Sequence, residues 1–129
     1  MTPTILTHSG ISFNLLEPNP HLIEIEDIAH ALSHICRFTG HTKTFYSVAQ
    51  HCYLASFFVP AEAALEALLH DGSEAYVGDV SSPLKSLLHE YRNIEFWIDR
   101  AIRERFNLPA NQTPCVKHAD LVMLATEKR

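Results

Sequence analysis

The chain has no run approaching the ~20 consecutive apolar residues that a membrane-crossing helix needs, so no transmembrane segment is expected. Its N-terminus, MTPTILTHSG, lacks a basic stretch followed by an apolar one, which excludes a secretory signal peptide. Cysteine is scarce. Cys36, Cys52 and Cys115 are odd in number and form no CxxC, so they read as small buried apolar residues in a reducing compartment. The cytoplasm is therefore the expected location, without membrane contact. Lys and Arg never gather into the basic stripe that tracks a phosphate backbone, and the net charge is −5, so duplex nucleic acid is not an expected partner. There is no internal repeat and no low-complexity tract.

The 129 residues, 47% of them hydrophobic, suffice for one globular domain with a real core, expected to span 1–129. Residues 4–16 alternate polar and apolar around Ser9-Gly10 and predict a short β-hairpin, with Pro18 and Pro20 closing a hairpin-and-linker segment over 1–20. Helical spacing then takes over. About five helices are predicted: 26–38 closed by Gly40; 45–58; the Ala/Leu-rich 61–70; one opened by Ser82-Pro83 and running to Phe106 with a bend near Asn93; and one starting near Cys115. The fold class is thus all-α with an N-terminal hairpin. Glu127-Lys128-Arg129 ends the last helix without a terminating Gly or Pro, from which a continuation of the natural domain is expected.

Against this background the segment ALLHDGSEAYVGDV stands out. An apolar helix ends in His70 and Asp71, with Glu74 three or four residues on, where a continuing helix would put it on their face, and Asp79 beyond. Burying such groups costs several kcal/mol unless something pairs them, and a divalent cation would. His51 in VAQHCYLA and Asp120 in VKHADLVML also sit among apolar helical residues. Any one of these histidines is more often a hydrogen-bonded core residue than a ligand. The set of His51, His70, Asp71 and Asp120 makes a mixed nitrogen/oxygen shell with room for water, suited to one Mn, Fe, Co, Ni or Zn ion.

The order H…HD…D over these four residues resembles the HD-domain metal-dependent phosphohydrolases. HDGSEAYVGDVSSPLK, with Arg37-Phe38 upstream of the first histidine, is similar to their 5′-deoxynucleotidase branch, the likeness covering roughly 26–127. It implies an HD-type helical bundle, a small-molecule nucleotide substrate and a homodimer. The implied reaction releases phosphate from a deoxyribonucleoside 5′-monophosphate. The alternatives are release of triphosphate from a deoxynucleoside triphosphate and, in another class, a non-catalytic nucleotide-sensing or partner-binding HD module. Glu74 is the candidate proton-transfer group and Asp79 a second one. Lys85 and Arg37 supply positive charge for the phosphate, and Phe38 can pack on a base or sugar. Gly72 stands where a small residue such as Ala is usual in the resemblance, which should loosen the helix end.

Other features are discounted. His30 and His34 have the i,i+4 spacing of a zinc helix, but HALSH lacks the Glu of the metalloprotease motif. Arg92, Arg100, Arg103 and Arg105, with Glu95, Asp99 and Glu104, read as a solvated ion-paired face opposite an apolar side of Phe96, Trp97, Ile98 and Ile102.

Overall fold

Strands β1 (Thr4–Leu6) and β2 (Ser12–Asn14) pair antiparallel in this computed structural model, which describes residues 2–127. Their turn is bolted to the first helix: Asp27 accepts from the Ser9 amide at 2.8 Å and from the Ser9 hydroxyl at 2.7 Å. Helix α1 (Ile25–Ser33) is shorter than the expected 26–38. Ser33 Oγ and His34 Nδ1 both contact the His30 carbonyl, each at 2.7 Å, so side chains take over the terminal acceptor. Ile35 and Cys36, which match the helical period, run extended instead, with Cys36 bridged to Ser47 and Ile35 accepting from Val48 N at 2.9 Å.

Helix α2 (Val48–Ala55) begins three residues later than expected, because Ser47 and Gln50 form a reciprocal capping box. It runs on as a 3-10 turn over Ser56–Phe58. After a second such turn over Ala61–Ala63, helix α3 (Ala64–Leu69) ends at His70, its C-cap. A turn through residues 70–73 precedes the single-turn helix α4 (Glu74–Val77), which Gly78 closes at φ 81° with its amide on the Glu74 carbonyl at 2.9 Å. His70, Asp71 and Glu74 are therefore gathered by a tight turn and not by one continuous helix face. Gly72 is small for a packing reason: a Cβ there would meet the Leu69 carbonyl at 3.0 Å and Ile102 Cδ1 at 3.3 Å.

The expected fourth helix is two: α5 (Ser82–Lys85) and α6 (His89–Arg105). The break falls at Leu88, whose backbone is non-helical (φ −111°, ψ 79°), while α6 passes through Asn93. Helix α7 (Pro114–Glu127) starts where expected. Of the described residues helix occupies 59% and strand 6%, so they form a mostly helical fold with one small antiparallel hairpin. One apolar cluster joins the hairpin, α1, α2, α3, α4 and α6, including Phe13, Ile28, Leu32, Val48, Leu69, Tyr76, Ile98 and Ile102.

Two expectations for α6 fail. Phe96 and Trp97 lie about half exposed while Ile98 and Ile102 are buried. Arg103 is no surface charge: it is buried, with Nη1 3.4 Å from Glu66 Oε2 and 2.9 Å from the Pro109 carbonyl, and Nε 3.0 Å from Asp99 Oδ2. The buried Glu66 also accepts from the Thr113 amide and hydroxyl at 2.9 and 2.8 Å, tying α3, α6 and the 109–113 loop together. No described helix is long and apolar enough to cross a membrane.

Candidate metal centre

Helices α2, α3 and α7 deliver the metal-competent set. His51 comes from the middle of α2, His70 and Asp71 from the end of α3, and Asp120 from α7, and one ligand atom from each lies within 4.8 Å of all the others. Asp120 Oδ1 is 2.8 Å from His51 Nε2 and 3.1 Å from His70 Nε2. Asp71 Oδ2 is 3.6 Å from His51 Nε2 and 3.3 Å from His70 Nε2. The imidazoles are buried, with 0% and 2% of their side chains exposed, whereas Asp71 and Asp120 keep 20% and 41%. The cluster is thus closed at its imidazoles and open at its carboxylates, where water or substrate can enter.

The donor set fits a cation for a reason internal to the geometry. His70 Nδ1 lies 2.6 Å from the Ala67 carbonyl, and His51 Nδ1 lies 2.7 Å from Glu127 Oε2. Both partners only accept, so both Nδ1 atoms carry the proton and a neutral ring directs the Nε2 lone pair at the aspartates. Lone pairs then face carboxylate oxygens, and a positive charge must stand between them. A proton on Nε2 is the other positive charge that can do so. Burial pushes both imidazoles down, but hydrogen bonds to Asp120 and Glu127 raise His51, and the Asp71 charge with the Asp120 bond raises His70 well above its ordinary value. Asp120 is held far below its ordinary value, the bonds to His51 and His70 overcoming burial. A divalent ion can take the place of these protons.

Beside the cluster lies a cleft of about 520 Å³ whose wall includes Arg37, Phe38, Asp71, Glu74, Asp79, Lys85 and Asp120. The residues predicted for the metal, proton-transfer and phosphate roles are therefore all at this one place, His51 and His70 being buried against Asp71 and Asp120. Glu74 is 7% exposed, and its Oε1 is buried without a hydrogen-bond partner. Burial first, then the charges of Asp71 and Asp79, push its carboxyl well above the usual range. Lys85 Nζ is 3.0 Å from Glu95 Oε1, so the expected phosphate lysine is ion-paired here. Arg37 is paired too, its Nη2 2.8 Å from Glu127 Oε1, and its guanidinium sits 4.7 Å from the centre of the Phe38 ring. Phe38 and Thr39 both have left-handed backbones, φ 57° and 55°, a costly conformation for a bulky and a β-branched residue. Strain of this kind concentrates where a fold holds a binding loop in place.

A second hollow of about 330 Å³ reaches Asp71 and Glu74 from another side, past Lys85, Arg92 and Asp99. A further hollow, about 930 Å³, is an open groove between the 16–20 segment and α6 and holds none of the metal-competent residues. Sequence reasoning missed Glu127 and Tyr46. Glu127 was legible in principle: it stands two turns after Asp120 on one helix, a spacing that returns a side chain to the same face.

No family model matches this chain. It is 53% identical over 125 residues to the uncharacterized protein YfdR of Escherichia coli K12, covering 97% of this chain and 70% of that protein. An uncharacterized protein of Rhodobacter capsulatus is 38% identical over 121 residues, covering 86% of this chain and 62% of its own length. The class defined by fold and site is a mostly helical protein with a mixed histidine/aspartate cluster at the edge of a polar cleft. Within it, the chain belongs to the family of YfdR.

Proposed function

We propose that this protein is an HD-type metal-dependent phosphohydrolase that cleaves the phosphate ester of a small nucleotide, a deoxyribonucleoside 5′-monophosphate, to nucleoside and phosphate. One observation carries the reading. Two Nδ1-protonated imidazoles aim their second nitrogens at two carboxylates beside a cleft that also holds a buried glutamate whose Oε1 has no hydrogen-bond partner.

His51, His70, Asp71 and Asp120 would hold the ion. When bound, a divalent cation supplies Lewis acidity, lowering the pKa of a coordinated water from about 15.7 toward ~7 and offsetting phosphate charge. The remaining work falls to the chain. Glu74, its Oε1 free of hydrogen bonds, holds or moves a proton: it takes one from the attacking water or gives one to the departing ribose 5′-oxygen. Asp79, on the same wall, raises the Glu74 carboxyl through its charge and stands ready as a second proton carrier. Arg37 and Lys85 bind phosphate oxygens, and Phe38 offers a face for the base or sugar.

Charge favours a monophosphate. The cleft wall carries two cations, Arg37 and Lys85, each already paired with a glutamate, against the carboxylates of Asp71, Asp79 and Asp120. With one divalent ion added, this suits a dianion far better than the larger charge of a triphosphate. The test is incubation with Co²⁺ or Mn²⁺ and each nucleotide, assaying phosphate against triphosphate. Inorganic phosphate from monophosphates, lost in Asp71→Ala, is the expected result. Triphosphate release, or equal activity after chelation and in Asp71→Ala, overturns the proposal.

A further inference from the structure

Glu127 closes a circuit around the cluster that none of the roles above includes. It and Asp120 hold one imidazole from opposite ends: Asp120 Oδ1 is 2.8 Å from His51 Nε2, and Glu127 Oε2 is 2.7 Å from His51 Nδ1. Both carboxylates come from α7, two turns apart on one face. Glu127 Oε1 accepts from Arg37 Nη2 at 2.8 Å, and the Tyr46 hydroxyl also donates to Oε2. The Glu127 side chain is only 6% exposed, so water competes little for these oxygens.

We infer that Glu127 is a positioning residue that locks His51 in its Nδ1–H form and holds Arg37 at the cleft wall, thereby linking the metal ligand to the phosphate-binding cation. This rests on the metal-centred reading above. A carboxylate offers no proton, so its partner nitrogen must donate and Nε2 is left as the ligand atom. The negative charge also makes that nitrogen a stronger donor to a cation. A second job follows from the shared carboxylate: whatever displaces Glu127 shifts the ligand and the Arg37 guanidinium together. A mere tie between α7 and the 35–47 segment would look different, because removing Tyr46 would loosen it just as removing Glu127 does.

Three measurements on the full chain decide it. In Zn²⁺-loaded protein with ¹⁵N-labelled histidine, His51 should show its proton on Nδ1 and none on Nε2. Co²⁺ titration of Glu127→Gln should give an affinity about 10–100-fold weaker than wild type, with a changed visible spectrum, since one amide oxygen cannot serve three donors. At saturating Co²⁺ this variant should also show a raised KM for the monophosphate. Tyr46→Phe, which leaves the His51 and Arg37 contacts, should bind Co²⁺ like wild type. Unchanged affinity in Glu127→Gln, or an equal loss in Tyr46→Phe, overturns the role while the metal centre stands, whereas a proton on His51 Nε2 in the Zn²⁺-loaded protein overturns both. Should Glu127→Gln not fold, the same Co²⁺ titration of Glu127→Asp decides: weakened affinity is expected, and unchanged affinity overturns the role. Absence of Co²⁺ binding in wild type overturns both readings.

Discussion

A carboxyl with a buried, unpartnered oxygen is expensive to keep, and Glu74 keeps one beside Asp71 and Asp79, whose charges make ionisation harder still. Such an arrangement suits a group whose proton is meant to move. Glu74→Gln preserves shape and removes that proton transfer, so kcat should fall by at least ~10²-fold while Co²⁺ still binds. Full turnover in the variant would strip Glu74 of its role. Asp27 shows the opposite balance. Burial would raise its carboxyl, but the Ser9 hydroxyl and amide outweigh burial and hold it below its ordinary value of 3.8. A depressed folded value means that the turn clamp contributes fully above the unfolded pKa and is lost as pH falls through the folded one. Asp27→Asn should therefore cost about 1–3 kcal/mol at neutral pH and flatten the stability loss below about pH 4, as acid titrations followed by circular dichroism would record. At this scale the sequence was readable wherever polar side chains interrupt apolar helices, which is why His51, His70, Asp71 and Asp120 stood out. Glu127 escaped because it lies in a charged tail that resembles an ordinary solvated end, and only the neighbouring helix gives it its partner.

Elements were readable in kind but less so in extent, and each discrepancy has a local cause. Ser33 and His34 end α1 by contacting a helix carbonyl, and the Ser47–Gln50 capping box delays α2, so both errors come from side chains competing for backbone groups. The helical periodicity of 82–106 carries on across Leu88, so nothing in it marks the break between α5 and α6. The Arg103 error is of another sort: four arginines in one helix look alike in sequence, and only the approach of Glu66 and the Pro109 carbonyl selects which of them is buried. This pair makes a strong prediction. Glu66→Ala leaves Arg103 buried with less of its charge answered and should destabilise the protein by about 3–5 kcal/mol in urea unfolding, whereas Arg100→Ala on the same helix should cost under about 1 kcal/mol. Equal losses would show that the Glu66 contacts are dispensable. The Phe38–Thr39 turn is the reverse case, an element that carries strain. A left-handed Thr39 costs roughly 1–2 kcal/mol that glycine avoids, offset in part by the entropy of a freer unfolded chain. Thr39→Gly should therefore gain roughly 0.5–1 kcal/mol of stability while raising KM, as the wall residue Phe38 becomes less fixed.

At the scale of the whole molecule, a cation held by the cluster would be coupled to folding, because the four metal-competent residues come from separate segments and meet only when the chain is folded. A cation that binds the folded chain and not the unfolded one adds RT ln(1 + [L]/Kd), about 2.7 kcal/mol at a hundredfold excess over Kd. For a domain of this size that is a rise of roughly 8–14 °C in melting temperature. The α2–α3–α7 junction should carry the gain, since it holds every ligand, and hydrogen-exchange protection there should rise more than in the β1–β2 hairpin. Chelation should reverse the shift, and Asp120→Ala should abolish it by removing the oxygen nearest both Nε2 atoms. Glu66→Ala supplies the control: it should lower the metal-free melting point and leave the increment from Co²⁺ unchanged, because Glu66 touches none of the four ligands. If Asp120→Ala kept the whole increment, the ion would be binding elsewhere on the protein, and the junction of the three helices would be a hydrogen-bonded core without a cation.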